Sequence, residues 1–577
     1  MSSVLQDGPD APSHAPDRSS TWIAAQWARP FRQHVAAAAL VLLALMPLLG
    51  TERLFHVDEG ATLAQVELLA RGDGWKYEHP RTDLDPDGKW SPLWPSDGEG
   101  SAPLDKHPTY SLLLTPPMRA FGVTGVVLMS LFGTWAAAVA AALMARRLGD
   151  GLDRAVLWVG ALVSPLFLYG YVTVGHTLGA AVAGGAALAA LRAVEHRGRL
   201  AGAAMGALVL LGILIRSEAT LFGLGLVIGL TVLAVKDRRR DVAGLAVIAF
   251  GATVGGYLLE PWLSTSLISD SGFLKVSDVT NRSEPYFLER VTPTAITTVL
   301  PGYTALGGIA VMLSTIAAVA AGTAGWVARR RPEDGAGIRL FAVVAAGAAV
   351  ARLFAGPGVI PGLLVAFPLI APGLLLLRRE VLGRTATSVL GVTYLAFVAA
   401  VLATQYHLGG SGEWGFRYAI LGLPLLVPIV VAGLASARDT LDGLTRRVAV
   451  ISVVVLCAAT TMLAAGSLLS PQGGSERLVA DVEALRSQAE RPVVLTSDNT
   501  VPRFAWDQVL AGESWLRVPI DELPELLPAL VDDGGDIVLV TDEAELWLPQ
   551  LDATHRVVEH RSGELSSDRQ LVLLTPR

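Results

Sequence analysis

The sequence predicts a mainly α-helical polytopic membrane protein, with about 13 transmembrane helices and a small extracytoplasmic α/β domain at the C-terminus. Three observations carry this. Of 577 residues, 52% are hydrophobic and 17% charged, whereas a soluble chain of this length carries about a quarter charged residues. The apolar residues gather into runs long enough to cross roughly 30 Å of hydrocarbon. The arginines and lysines between those runs cluster in alternate loops, as they do where basic loops stay in the cytoplasm. A formal net charge of -7 argues against a nucleic-acid partner. The single cysteine, Cys457, lies in an apolar run and can form no intramolecular disulfide.

Taken in order, residues 1–33 form a cytoplasmic N-terminus. Residues 1–20, rich in Ser, Asp and Pro, read as disordered, and residues 22–31 as an interfacial stretch. The first apolar run, 35–49, has no small-residue cleavage site after it and reads as a retained span. A membrane region of residues 34–469 is expected, with spans near 34–51, 122–145, 154–172, 176–194, 201–216, 219–235, 241–259, 302–326, 338–354, 361–377, 386–404, 418–435 and 448–469. Arg146-Arg147, Arg197, Lys236, Arg329, Arg378 and Arg446 mark the cytoplasmic loops. The loops at 51–121, 260–301 and 405–417 and the segment from 470 then lie outside. Within 470–577, the runs 491–496, 536–541 and 570–575 have the look of buried parallel strands, and 476–490 and 521–530 show helical spacing.

The first outer loop holds the most informative residues. Asp58-Glu59 follows the first span closely. A carboxylate at a membrane face can be held partly dehydrated as a general base, and an acidic pair can equally cap the helix that follows. Residues 61–70 have apolar residues at helical spacing and read as an amphipathic helix lying along the membrane surface. A polar insert with Trp and Pro spans 72–103, and Asp105-Lys106-His107-Pro108 leads into a second apolar stretch at 110–114. A loop folded between two interfacial helices brings Asp58 and Lys106 to one cavity. A carboxylate beside a cation suits proton removal while an anionic leaving group is held. Lys106 reads alternatively as a solvated loop residue, and His107 as a ring packed or bonded within the loop. A histidine near two acids also leaves a divalent cation open, on a weak signal.

Further candidates sit at other span ends. His176 follows Tyr169-Gly170-Tyr171 and reads as a substrate contact or an aromatic anchor. Arg216-Ser217-Glu218 interrupts an apolar region, as a ligand contact or an internal helix-packing pair. The stretch 409–418, GGSGEWGFRY, ends in Arg417, which can form two parallel bonds to a phosphate or anchor a helix. Arg352 and Glu260 fall at expected span ends and read as snorkelling or interfacial.

These motifs together resemble the GT-C glycosyltransferases, in the branch of the protein O-mannosyltransferases and the lipid A aminoarabinose transferases. Those families carry Asp-Glu in the first outer loop, then a His-Pro-Pro-Leu or Lys-Pro-Pro-Leu motif. The counterparts here are Asp58-Glu59 and Lys106-His107-Pro108, with Thr109 in place of the second proline. Arg216-Ser217-Glu218 is similar to an Arg-Pro-Glu or Arg-Ser-Glu motif of the families, and 409–418 to their Gly-Trp-x-x-Gly-x-Arg-Tyr stretch. The resemblance spans residues 34–435. It implies an inverting glycosyltransferase that moves a sugar from a polyprenyl-phosphate donor to a cell-envelope glycan, lipid or exported protein on the outer face of the plasma membrane. Asp58 would be the base, Glu59 would orient the acceptor, and Lys106 and Arg417 would hold the phosphate. His107, His176 and Arg216 would complete the substrate site. No cofactor is required, and a divalent cation stays open.

Two rival classes remain. A transporter or flippase predicts ionisable residues at mid-bilayer and related halves, whereas the acids here concentrate at one face and no internal repeat is evident. A catalytically silent envelope scaffold predicts that Asp58 is dispensable.

Overall fold

The computed structural model describes residues 29–50, 53–93, 100–104, 107–268, 308–356, 362–404, 414–438, 440–562 and 569–577. Lys106, the tail 1–20, and most of the expected loops 260–301 and 405–417 lie outside the described residues.

The membrane region begins with α1 (Phe31–Leu49), α2 (Val57–Arg71) and α3 (Pro108–Ala145). After α4 (Leu152–Trp158) come α5 (His176–His196), α6 (Arg199–Ile215), α7 (Glu218–Lys236) and α8 (Arg240–Leu267). Then follow α9 (Gly308–Arg330), α10 (Gly335–Leu353), α11 (Ile370–Leu375), α12 (Thr385–Thr404), α13 (Leu423–Ser436) and α14 (Gly443–Arg486). Among the described residues, 10 helices are long and apolar enough to cross a membrane, so this is a multi-pass membrane protein.

Three of the expected spans differ from that set. The 201–216 segment is α6, a shorter apolar helix of 17 residues. The 154–172 segment is broken: α4 passes into a π-helical turn, Val159–Val163, then stops at Ser164 (ψ 161°) before Pro165. The 361–377 segment breaks at Phe367 (φ -134°, ψ 73°), before Pro368. The cause is the same in both: a proline ring excludes the preceding residue from helical geometry. A hydroxyl satisfies part of the freed backbone, Ser164 Oγ donating to the Gly160 carbonyl (2.7 Å).

The expected second interfacial stretch and the second span are two helical segments of α3, separated by a break at Gly122. Gly122 adopts φ 60°, ψ -149°, a conformation essentially reserved for glycine.

Helix α2 corrects the expectation of an amphipathic surface helix. From Glu59 to Val66 every residue is buried. One face packs Leu63 and Val66 against Tyr110 and Leu114 of α3. The other is covered by the C-terminal α/β domain, whose residues pack on Ala64 and Leu68.

That domain follows directly from α14, a helix of 44 residues that leaves the bundle and ends under the sheet. Its elements are β1 (Val493–Thr496), α15 (Thr500–Phe504), α16 (Trp506–Leu510), β2 (Trp515–Arg517), α17 (Leu523–Asp533), β3 (Ile537–Thr541), α18 (Ala544–Leu551), β4 (His555–Ser562) and β5 (Gln570–Pro576). Among the described residues the sheet has the order β2-β1-β3-β5-β4. β1 is parallel to β2 and β3, with Val494 facing Trp515 and Leu495 facing Leu539. β5 departs from the parallel expectation: it runs antiparallel to β3 and to β4. An apolar run reports burial, not strand direction. Leu478, Val482 and Leu485 of α14 cover one face of the sheet, and Leu526 and Leu530 of α17 with Trp547 of α18 cover the other.

The polar insert after α2 is bound to this domain. Tyr77 Oη donates to the Val509 carbonyl (3.0 Å), Trp90 Nε1 to Glu522 (2.8 Å), and Arg81 pairs with Asp533 (2.6 Å).

Candidate active site

The turn into α2 divides the acidic pair. His56 caps the helix, its Nδ1 accepting the Asp58 N–H at 3.1 Å. Glu59 closes the cap in reverse: its Oε2 accepts the N–H groups of Phe55 (2.7 Å) and His56 (3.0 Å). Its Oε1 accepts the Thr173 N–H (2.8 Å) and hydroxyl (3.2 Å). At 1% exposure, burial pushes the Glu59 carboxyl up to about 7, against these hydrogen bonds, which favour the charged form. Glu59 therefore ties the α2 turn to the chain before α5 and stands behind the cavity wall.

Asp58 turns the other way, into a cavity of ≈ 200 Å³. Thr62, His107, Tyr110, Arg216, Glu218, Arg417 and Tyr418 share its lining. Of the residues singled out in the sequence, the fold thus gathers Asp58, His107, Arg216 and Arg417 at one place. Helices α2, α3, α5 and α7 all begin at this cavity, through Asp58, His107, Gly175 and Ser217. Their N-terminal dipole ends favour an anion there.

Arg417 begins a 3₁₀ turn ahead of α13, after Phe416 in the left-handed region (φ 58°). Its Nη1 lies 3.3 Å from Asp58 Oδ2, and Nη2 donates to the Tyr418 hydroxyl at 3.3 Å. His56 Nδ1 is 3.6 Å from the same Asp58 oxygen, but a nitrogen accepting an N–H has no proton to offer, so we count no ion pair there. Arg216 and Glu218 form a two-pronged pair, with Nε to Oε2 at 3.0 Å and Nη2 to Oε1. Both remain on the cavity lining, so the pair organises the junction of α6 and α7 and faces the cavity as well.

His107 precedes α3 in the left-handed region (φ 53°). Its N–H donates to Glu260 Oε1 at 3.3 Å, and its Nδ1 lies 3.2 Å from that oxygen. This corrects the interfacial reading of Glu260. α8 continues past the expected end at 259 to Leu267, which buries Glu260 beside Ser264 (3.1 Å). Arg352 is likewise not snorkelling: it is 1% exposed and donates to the Gly356 carbonyl. His176 is buried at the start of α5, its ring edge-on to Tyr169 at 5.0 Å, and is not part of the cavity lining.

Sequence reasoning missed Arg503. It sits on α15 of the C-terminal domain, 5% exposed, and its Nη1 lies 3.9 Å from Asp58 Oδ1. No local pattern marks it, because the contact joins parts of the chain far apart in sequence. Among the described residues no group of three or more His, Cys, Asp or Glu side chains converges to hold a metal.

No family model matches the sequence, and no curated protein matches it. Solved structures do match. ArnT from Cupriavidus metallidurans in the apo state aligns over 96% of this chain and 98% of its own, at 14% identity and a TM-score of 0.51. The same protein bound to undecaprenyl phosphate aligns over the same shares at 14% identity and a TM-score of 0.52. This chain therefore has the fold of ArnT, a GT-C fold, from the membrane helices through the C-terminal sheet domain.

Proposed function

We propose that this chain is an inverting glycosyltransferase that takes a sugar from a polyprenyl-phosphate donor. The carrying observation is that Asp58 and Arg417 meet at 3.3 Å in a cavity on which several helix N-termini converge. Such a site offers a base and an anion-binding wall together. The binding of undecaprenyl phosphate by ArnT supports a polyprenyl-phosphate donor for a chain of the same fold.

In the proposed reaction Asp58 takes the proton of an acceptor hydroxyl as its oxygen attacks the anomeric carbon. The bond from that carbon to the phosphate oxygen breaks, and the polyprenyl phosphate leaves with the electron pair. The configuration inverts because attack and departure are on opposite faces. Arg417 would meet the phosphate with its planar fork, Lys106 would add a second cation, and Arg216 and His107 would line the sugar side. The acceptor would be a cell-envelope glycan, lipid or exported protein. The alternation of basic loops supports a site on the outer face of the plasma membrane.

The test is transfer of labelled sugar from a panel of polyprenyl-phosphate donors in reconstituted membranes, comparing wild type with Asp58→Asn. Transfer that collapses in the variant while donor binding persists is the expected result. Undiminished transfer by the variant would remove Asp58 as the base. Donor that binds wild type and is never transferred, across the acceptor classes, would overturn the enzyme reading.

A further inference from the structure

We propose that Arg503 is a positioning residue for Asp58: the C-terminal domain supplies a guanidinium that holds one edge of the Asp58 carboxylate while Arg417 holds the other. The inference rests on the glycosyltransferase reading and deepens it, since it makes the C-terminal domain part of the reacting site.

The geometry begins with how closely the domain approaches. A Cβ placed on Gly60 would lie 1.8 Å from the carbonyl oxygen of Arg503. Only a residue without a side chain admits that contact, and it lies two positions beyond Asp58. The backbone of α15 is thus fixed against α2 at the residue whose side chain reaches Asp58. The guanidinium plane is fixed in turn, because Nε donates to the Leu93 carbonyl at 3.1 Å. That bond directs the Nη1 end toward Asp58 Oδ1 at 3.9 Å. A cation buried to this degree requires a counter-charge or a full set of acceptors, and the carboxylate it is aimed at is the one the reaction uses.

The arrangement answers a difficulty in the site. Arg417 lies on Asp58 Oδ2 at 3.3 Å, and the same arginine is the proposed phosphate contact. When Arg417 turns to a phosphate, Asp58 would lose its neighbouring cation and its fixed orientation together. Arg503 lies on the other oxygen and belongs to a separate element, so it can stay. Among the described residues, the remaining charged or titratable neighbours around the cavity are His56 on the α2 turn, His107 and Tyr110 on α3, Arg216 and Glu218 at the α6–α7 junction, and Tyr418. The Arg216 charge is taken up by Glu218. Among the described residues, Arg503 is therefore a cation placed to keep Asp58 ionised during turnover.

The experiment is the sugar-transfer assay on the full-length chain across pH, with wild type, Asp58→Asn, Arg503→Met, Arg503→Gln and Arg503→Lys. Arg503→Met is expected to lower kcat about tenfold to a hundredfold, with donor KM within about twofold. The acid limb of its pH profile should move up by about one pH unit, because a lost cation makes Asp58 easier to protonate. Arg503→Lys should keep the wild-type acid limb. Arg503→Gln retains a donor for the Leu93 carbonyl without the charge, so it carries the test if the Met variant fails to fold, and it should show the same shift. An unmoved acid limb in a folded Met or Gln variant, or a loss as large in Lys as in Met and flat with pH, would overturn the proposal. Transfer by wild type that Asp58→Asn abolishes keeps the parent reading intact in either case. Transfer undiminished in Asp58→Asn would sink the parent reading instead.

Discussion

Glu260, near the end of α8, accepts the backbone N–H of His107 at the start of α3, and the same carboxylate oxygen lies 3.2 Å from the His107 ring. A buried acid thereby holds the left-handed turn that delivers His107 to the cavity and that follows Lys106 directly. Glu260→Ala leaves that N–H without its acceptor, at a cost of about 1–3 kcal/mol. It is expected to lower kcat/KM for sugar transfer about tenfold or more through misplacement of the turn. Glu260→Gln keeps an acceptor and should recover most of the loss. Wild-type kinetics in the Ala variant would show that the turn holds itself.

Gly60 makes a sharper expectation. Its contact is with backbone rather than a flexible side chain, so Gly60→Ala must push α15 away from α2. The variant should lose about 1–3 kcal/mol or more and expose the α2 face to protease. An unchanged melting temperature and an unchanged digestion pattern would mean that the two helices separate freely.

Glu59 sets a pH dependence of stability. Its carboxyl is raised from 4.5 in the unfolded chain to about 7 in the fold, by burial. The folded state therefore binds the proton more tightly, and its contribution is fully present below about 4.5 and lost as pH rises through about 7. Its size is on the order of 3 kcal/mol. Thermal unfolding in detergent between pH 5 and pH 8 should show a fall in midpoint that is absent in Glu59→Gln, which itself unfolds more easily because an amide cannot accept as many N–H donors. A midpoint that falls equally in both proteins would assign the dependence to another group.

Arg417→Lys tests the phosphate contact. Lysine keeps the charge and loses the planar fork, so donor KM should rise about tenfold with kcat less affected. The variant's donor binding should also weaken more steeply with salt. Equal donor KM in the two proteins would leave Arg417 as a partner of Asp58 with no phosphate contact.

How much of this was legible in the sequence follows from where each residue sits. Asp58, Arg216 and Arg417 stood out because each interrupts or flanks an apolar run, and all three line one cavity. The same logic failed for Glu260: it lies beside Leu258, Leu259 and Trp262, and its depth depends on how far α8 continues. The breaks before Pro165 and Pro368 carried a local signal, the residue preceding a proline, which a hydropathy window averages away. The direction of β5 carried none. Neither did Arg503, whose role depends on a sheet domain folding back onto a loop some four hundred residues earlier in the chain.

The continuity of α14 has a mechanical consequence. At 1.5 Å per residue, its 44 residues make a strut about 66 Å long, where a flexible linker would let the sheet domain wander. A strut transmits tilt. Its compliance is concentrated at Pro471, whose ring removes one N–H from the helix ladder. A connection of this kind holds α15 against α2, and so Arg503 beside Asp58, in one orientation to the membrane helices.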